Sequence, residues 1–191
     1  MKPNPSSGLT VVELVIALVS GFIVLLIVIW MFETNAAAPL VHGRSNYVLS
    51  NMRQLYLATE QMTLDNQTNG NPVRWTCSGN APMSFDQWHK ALVPTYLEEK
   101  DFQKLLSISG RNRTIVAMNV FAVCDSDAPE TVLFATKNWH GVKTNLSGEP
   151  FENRCFVIFR KAGDGAVLTA GQANDTNIIG SGGMHNFLPL K

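Results

Sequence analysis

The sequence predicts an α+β protein, in which a long N-terminal helix with a membrane-embedded first half precedes a small antiparallel sheet domain. Three observations support this fold class. An apolar run from Leu14 to Phe32 contains no charge over 19 residues. Apolar residues then recur at helical spacing up to about Leu64. Later segments are rich in Val, Phe and Thr, as strands are, and one contains an Asp164-Gly165 turn.

The apolar run has the length of a membrane span. At 1.5 Å per residue, 19 helical residues cover about 28 Å, and the hydrocarbon core of a bilayer is about 30 Å thick. A removable secretory signal, with an exit at Ala36-x-Ala38, and an ordinary signal anchor are the alternatives. The run exceeds the usual length of about 7 to 15 residues in a removable signal. The sequence therefore favours a transmembrane helix over residues 9–32.

Glu13 lies at the mouth of this run and needs an explanation. An acidic side chain in a membrane span costs about 3 kcal/mol and usually has a partner. No cation lies in the run itself. A cut between Gly8 and Leu9 would create an α-amino group about one helical turn from Glu13, with a reference pKa of about 8. The amine can meet Glu13 of its own chain or of a neighbour in a bundle of identical helices.

The motif G-L-T-V-V-E-L, followed by about 20 apolar residues, resembles the class III signal of type IV pilins and type II secretion pseudopilins. The resemblance implies a pilin-like fold and cleavage by a prepilin peptidase between Gly8 and Leu9, with N-methylation of the new terminus. It also implies that Glu13 docks each subunit onto the next. Leu9 stands where the family usually has Phe, and the leader carries a single basic residue, Lys2, where the family usually has more.

The resemblance implies a domain order and a location. Residues 1–8 form the leader, 9–32 the transmembrane and assembly helix, 33–65 its continuation, and 66–191 a periplasmic globular domain. The expected location is the bacterial inner membrane, crossed once, and then the assembled filament. The expected partners are the prepilin peptidase, identical or related pilin subunits, the inner-membrane assembly platform and membrane lipid.

The expected function is that of a structural subunit of a type IV pilus-like or type II secretion pseudopilus filament. Such filaments serve protein secretion, adhesion, motility or DNA uptake, and the sequence leaves these uses open. The alternative is a single-pass, membrane-anchored periplasmic binding domain that does not polymerise. Glu13 separates the two hypotheses, because it has no purpose in a simple anchor.

Beyond the apolar run, the pattern predicts further elements. Pro39 lacks an amide donor and is expected to kink or locally melt the first helix. The pattern predicts an apolar stripe on that helix, two further short helices and four strands. They are the stripe at Val41, Val48, Met52, Leu55 and Met62; a helix that starts at Ser84 or Asp86 and is ended by Pro94; a helix that starts at Glu98 and ends by Gly110; and the strands Thr114–Cys124, Glu130–Trp139, Cys155–Lys161 and Ala166–Ala170.

Charge and cysteine content exclude some classes of function. The 15 basic residues balance the 15 acidic ones, so no basic field is available to bind nucleic acid. The cysteines are Cys77, Cys124 and Cys155, and export to an oxidising compartment predicts one disulfide and one free thiol, with three pairings possible. No C-x-x-C motif is present to indicate a zinc site.

One acidic stretch, CDSDAPE, is a candidate calcium site. Asp125, Asp127 and Glu130 supply carboxylates within six residues, and Ca²⁺ prefers oxygen ligands. The alternative is a solvated turn in which the carboxylates cap backbone amides. Calcium is the only cofactor that the sequence suggests.

Catalytic motifs are absent from the sequence. The four histidines, at positions 42, 89, 140 and 185, are scattered, and neither G-x-S-x-G nor a phosphate-binding Gly-Lys loop occurs. The sequence therefore predicts that the protein is not an enzyme.

Overall fold

The computed structural model describes residues 11–110, 113–141, 146–180 and 189–190, without the side chains of residues 11–14, 17 and 29–41. The contacts divide the chain into two units, Met1–His42 and Gly43–Lys191. The second unit, called the globular unit below, therefore includes the latter part of the first helix.

The first three helices follow the predicted order, and two short helical elements near the C-terminus were not predicted. The helical elements are α1 Val11–Thr68, α2 Phe85–Leu92, α3 Glu99–Leu106, a 3₁₀ turn at Ala170–Gln172, and α4 Asp175–Ile179. Ser84 starts α2 with a capping box, in which its hydroxyl accepts from the amide of Gln87 and the Gln87 side chain accepts from the amide of Ser84. The backbone of α1 stays helical through Pro39, so the helix does not melt there.

The strands of the described residues form three antiparallel sheets, each in chain order. The first sheet contains β1 Val73–Arg74, β2 Cys77–Ser78 and β3 Ala81–Pro82; the second contains β4 Ser107–Ser109 and β5 Thr114–Val116; the third contains β6 Met118–Val120, β7 Val132–Thr136, β8 Phe156–Arg160 and β9 Gly165–Leu168. The predicted α+β content with antiparallel pairing is confirmed. The expectation of one small sheet is corrected to three.

The predicted strand Thr114–Cys124 is in fact two strands that belong to different sheets. The break lies at Ala117, whose amide donates to the carbonyl of Leu106 at 2.8 Å. The carbonyl of Ala117 accepts from the amide of Lys137 at 2.9 Å, on the opposite side of the chain. The chain changes partners at this residue, since β5 pairs with β4 and β6 pairs with β7.

The expected pilin-like fold with a membrane-embedded first half is contradicted. Among the residues that the structure describes, no helix combines the length and the apolar character needed to cross a membrane. The continuous run of described apolar or small side chains reaches from Leu18 to Val28. At 1.5 Å per residue this run covers about 16 Å, whereas the hydrocarbon core is about 30 Å thick.

The predicted apolar stripe of α1 is confirmed within the globular unit. Val48, Met52, Leu55 and Met62 are all buried, while Leu57 on the other side of the helix is 55% exposed. The side chain of the remaining predicted member, Val41, lies outside the described residues. Burial of this one face joins α1 to the globular core.

The hairpin of β8 and β9 packs directly on α1. The rings of Tyr56 in α1 and Phe159 in β8 have centroids 5.3 Å apart. Gly165 lies opposite Phe159 in the ladder, and its missing side chain leaves the space that Leu49 of α1 occupies. Helix and sheet therefore approach closely only because position 165 lacks a Cβ.

Gly165→Ala is expected to destabilise the protein. A Cβ at position 165 would overlap Leu49 Cδ1, and it would lie 2.6 Å from Phe159 Cδ2 and 3.1 Å from the Ile158 carbonyl. Overpacking of this kind costs about 1–3 kcal/mol, which urea denaturation of the full chain can measure. Gly171→Ala is the matched control, because nothing lies within 4 Å of a Cβ there. Equal stability of the two variants would contradict the close packing described above.

Candidate functional site

The first candidate site is the apolar segment of α1, defined here as residues 15–28. Its described side chains are exposed, from 39% at Val28 to 67% at Leu18. Only Ala17, Ser20 and Gly21 interrupt the large apolar residues of this segment. The large exposed side chains are Val15, Ile16, Leu18, Val19, Phe22, Ile23, Val24, Leu25, Leu26, Ile27 and Val28.

A helix that is apolar on all sides needs a cover on all sides. A contiguous apolar patch of this extent on a protein surface marks an interaction site, since its exposure to water is unfavourable. The globular-unit part of α1 differs, because it buries one face only. The apolar segment is therefore a surface for association along the whole circumference of the helix.

The structure describes little of the residues predicted for cleavage and subunit docking. Gly8 and Leu9 are outside the described residues. Glu13 lies in the first turn of α1, but its side chain is outside the described residues. Their predicted roles in cleavage and docking stay predictions.

The second candidate site surrounds the disulfide. Of the three possible pairings, the structure has Cys77 bonded to Cys124, with their Cα atoms 5.2 Å apart. Cys155 is free and buried, and burial raises the pKa of its thiol, while nearby Arg154 lowers it in part. The disulfide fastens β2 to residues 124–127, called the Cys124 loop below.

A lysine ammonium holds the Cys124 loop from inside. Lys161 Nζ donates to the carbonyl oxygens of Cys124 at 3.0 Å, Asp125 at 2.7 Å and Asp127 at 2.7 Å. It also lies 5.7 Å from the ring centroid of Trp75, at cation–π distance. Burial lowers the pKa of Lys161, and the carboxylates of Asp125 and Asp127 oppose that shift. The three hydrogen bonds that Lys161 donates further favour the charged ammonium.

The predicted calcium ligands have other partners. Asp125 Oδ2 accepts from Arg74 Nη1 at 2.8 Å, and Asp127 Oδ2 accepts from the amide of Cys124 at 2.7 Å. Glu130 packs instead beside Gly180, near the end of α4. Within the described ranges, no three His, Cys, Asp or Glu side chains are grouped so that they could hold a metal ion.

The carbonyl oxygens of this loop bind an ammonium that the chain itself supplies. The alternative reading of CDSDAPE, a turn whose carboxylate caps a backbone amide, describes Asp127. Sequence reasoning missed Lys161. Its signal was a lysine directly after the strand FVIFR, at the start of the turn that contains Asp164-Gly165.

Lys161→Met is expected to lower stability by about 1–3 kcal/mol, because it leaves three carbonyls, two of them in partly buried hydrogen bonds, without their charged donor. Lys137→Met is the control, since Lys137 is an exposed lysine with no side-chain contact to the loop. Thermal denaturation of the full chain measures both. Calcium at millimolar concentration should leave the Tm of the native chain unchanged. A rise in Tm with calcium would contradict the assignment of the loop to Lys161.

His89 and His140 contact separate partners. His89 Nε2 lies 2.8 Å from Glu99 Oε2, and Gln103 donates to the other oxygen of Glu99. Bonds from Gln103 and His89 lower the pKa of the Glu99 carboxyl. His140 contacts Ser147 at 2.9 Å, and His185 lies outside the described residues.

Comparison of the chain with protein-family models, curated proteins and solved structures gives no match.

Proposed function

We propose that this protein is a structural subunit of a type IV pilus-like or type II secretion pseudopilus filament, assembled through α1. The observation that carries the proposal is the exposed apolar segment, which is apolar around its whole circumference. Identical helices packed side by side would cover one another, as apolar helices in bundles do. The G-L-T-V-V-E-L motif immediately before the segment supplies the link to this class of filament.

The two units have different roles in this proposal. The apolar segment makes the contacts between subunits, while the globular unit folds around its own core and forms the filament surface. Glu13 fixes the register between neighbouring helices by pairing with an α-amino group. Without such a polar pair, a uniformly apolar contact leaves several registers close in energy.

The location and the partners belong to the same proposal. A disulfide between Cys77 and Cys124 suits an exported domain, because oxidising compartments maintain such bonds. We therefore propose assembly at the bacterial inner membrane, with the globular unit in the periplasm. The partners are a prepilin peptidase, an assembly platform and further pilin subunits.

Gly8→Lys is expected to block processing, because a bulky cation does not fit a cleavage site shaped for a small residue. Mass spectrometry of the chain, co-expressed with a prepilin peptidase, should find an N-methylated Leu9 terminus in the native protein and the intact leader in the variant. Ser6→Lys adds the same charge two residues upstream and should still be cleaved. Normal maturation of Gly8→Lys would contradict the proposed processing. Filaments built from the uncleaved chain would show that assembly does not require cleavage at this motif.

A further inference from the structure

A cavity of about 450 Å³ opens on the globular unit, and neither cysteine of the disulfide lines it. Its walls come from three elements: α1, the last turn of α3, and the hairpin of β4 and β5. Arg44 and Tyr47 are three residues apart on α1 and so share a face of the helix. Lys104 lines the cavity from α3. Ser109 and Thr114 line it from the hairpin, where they are paired across the two strands.

The cavity is cationic. Arg44 and Lys104 both line it, and no Asp or Glu side chain does so among the described residues. Neither Arg44 nor Lys104 forms an ion pair with another described residue. The Glu149 carboxylate, which lies near Gly110 at the hairpin end, is paired with Arg113 at 3.3 Å. Two uncompensated positive charges therefore face one concave space.

Hydroxyl groups complete the lining. Ser109, Thr114 and the ring-bearing Tyr47 contribute O–H groups, while Ser107 donates its own to the carbonyl of Gln103 at 2.7 Å. Tyr47 is 45% exposed and presents an aromatic wall. A guanidinium, an ammonium and several hydroxyls together match a tetrahedral oxyanion with several acceptor oxygens. The volume is that of a small-molecule site, larger than a phosphate alone requires.

We propose that this cavity is a binding site for a phosphate ester, with the phosphate on Arg44 and Lys104 and the organic part against Tyr47. Arg44 offers two parallel N–H donors to two phosphate oxygens, and Lys104 supplies a point charge. The ligand is either a soluble phosphate ester or the headgroup of an anionic phospholipid, because both present an anionic phosphate with free oxygens on an organic group. The site does not depend on the proposed filament function.

Calorimetric titration of the full-length chain with glycerol 3-phosphate tests the site. Saturable binding is expected, and glycerol without the phosphate should not bind. The double variant Arg44→Gln, Lys104→Gln should weaken binding at least about tenfold, because it removes two charge-assisted contacts. The matched control is Arg53→Gln, Lys100→Gln, which removes the same charges from exposed positions on the same two helices outside the cavity.

A second arm distinguishes the two sources of the phosphate. Vesicles of phosphatidylglycerol and of phosphatidylcholine are compared, with the native chain and both double variants. A preference for phosphatidylglycerol that only the cavity variant loses identifies a lipid headgroup. Binding of glycerol 3-phosphate without such a preference identifies a soluble ester. Absence of both effects, or equal losses in the control variant, would overturn the proposal. Unchanged circular dichroism spectra establish that the variants are folded.

Discussion

Glu13→Leu is expected to give a chain that is cleaved normally after Gly8 but does not form filaments. The cut site is unchanged, so the peptidase should still process the variant. The docking pair is lost, however, and helices with uniformly apolar surfaces can slide past one another without a fixed register. The expected loss of sheared filaments is complete. Glu13→Asp should be intermediate, because its carboxylate is one methylene shorter.

Each variant is expressed in cells that carry a matching assembly system. The measurement compares the amount of chain in filaments sheared from the cells with the amount that remains cell-associated. Glu33→Gln, beside Glu13→Gln, provides a matched pair: the same isosteric change on the same helix at either side of the apolar run. Only the change at position 13 should abolish assembly. If Glu13→Leu polymerises as well as the native chain, the docking role is wrong, and an anchored domain that does not polymerise becomes the better hypothesis.

Removal of the disulfide is expected to have the largest effect on stability. Cys77 and Cys124 are separated by 47 residues. The loop-entropy model gives about 4 kcal/mol for closing a loop of that length. For a unit of this size, such a loss corresponds to a fall in Tm of about 8–16 °C. The double variant Cys77→Ala, Cys124→Ala should therefore unfold well below the native chain.

Thermal denaturation of the full chain with and without reductant provides the check. Reduction should lower the Tm of the native chain to near that of the double variant and leave the variant itself unchanged. Cys155→Ala serves as the control, because this cysteine is buried but free. That variant should lose a small packing contribution and stay sensitive to reductant. A native Tm that reductant does not move would contradict a stabilising disulfide.

Much of the local structure could be predicted because it depends on local patterns. The stripe of α1 follows helical spacing, and Val48, Met52 and Leu55 are buried as that spacing requires. The start of α2 follows from Ser84 and a glutamine three residues later. The hairpin of β8 and β9 follows from two Val- and Phe-containing strands around Asp164-Gly165.

The features that sequence reasoning missed depend on distant partners. Nothing local distinguishes Ala117 from its neighbours, because the break in the strand comes from bonds to Leu106 and Lys137. Each strand of the first sheet is two residues long, which is too short for an alternating pattern to be recognised. The membrane-embedded half was predicted from an apolar run in the sequence, and no described helix matches it.

The candidate sites show the same division. Motif and spacing pointed to Gly8, Leu9 and Glu13, whereas the cation of the Cys124 loop comes from Lys161, 37 residues after Cys124. Acidic residues close together in sequence suggested calcium. The structure instead brings a lysine to the carbonyl oxygens of the same loop, which only the fold of the hairpin could reveal.

The covalent bond between Cys77 and Cys124 also sets how the chain responds to tensile load. When force is applied along the backbone, it passes through the sulfur bridge and bypasses the residues between the two cysteines. That segment, which contains α2, α3, β4 and β5, has a contour length of about 160 Å. These bridged residues cannot extend even after the globular unit unfolds. A stretched chain can therefore lengthen only through the residues outside the bridge.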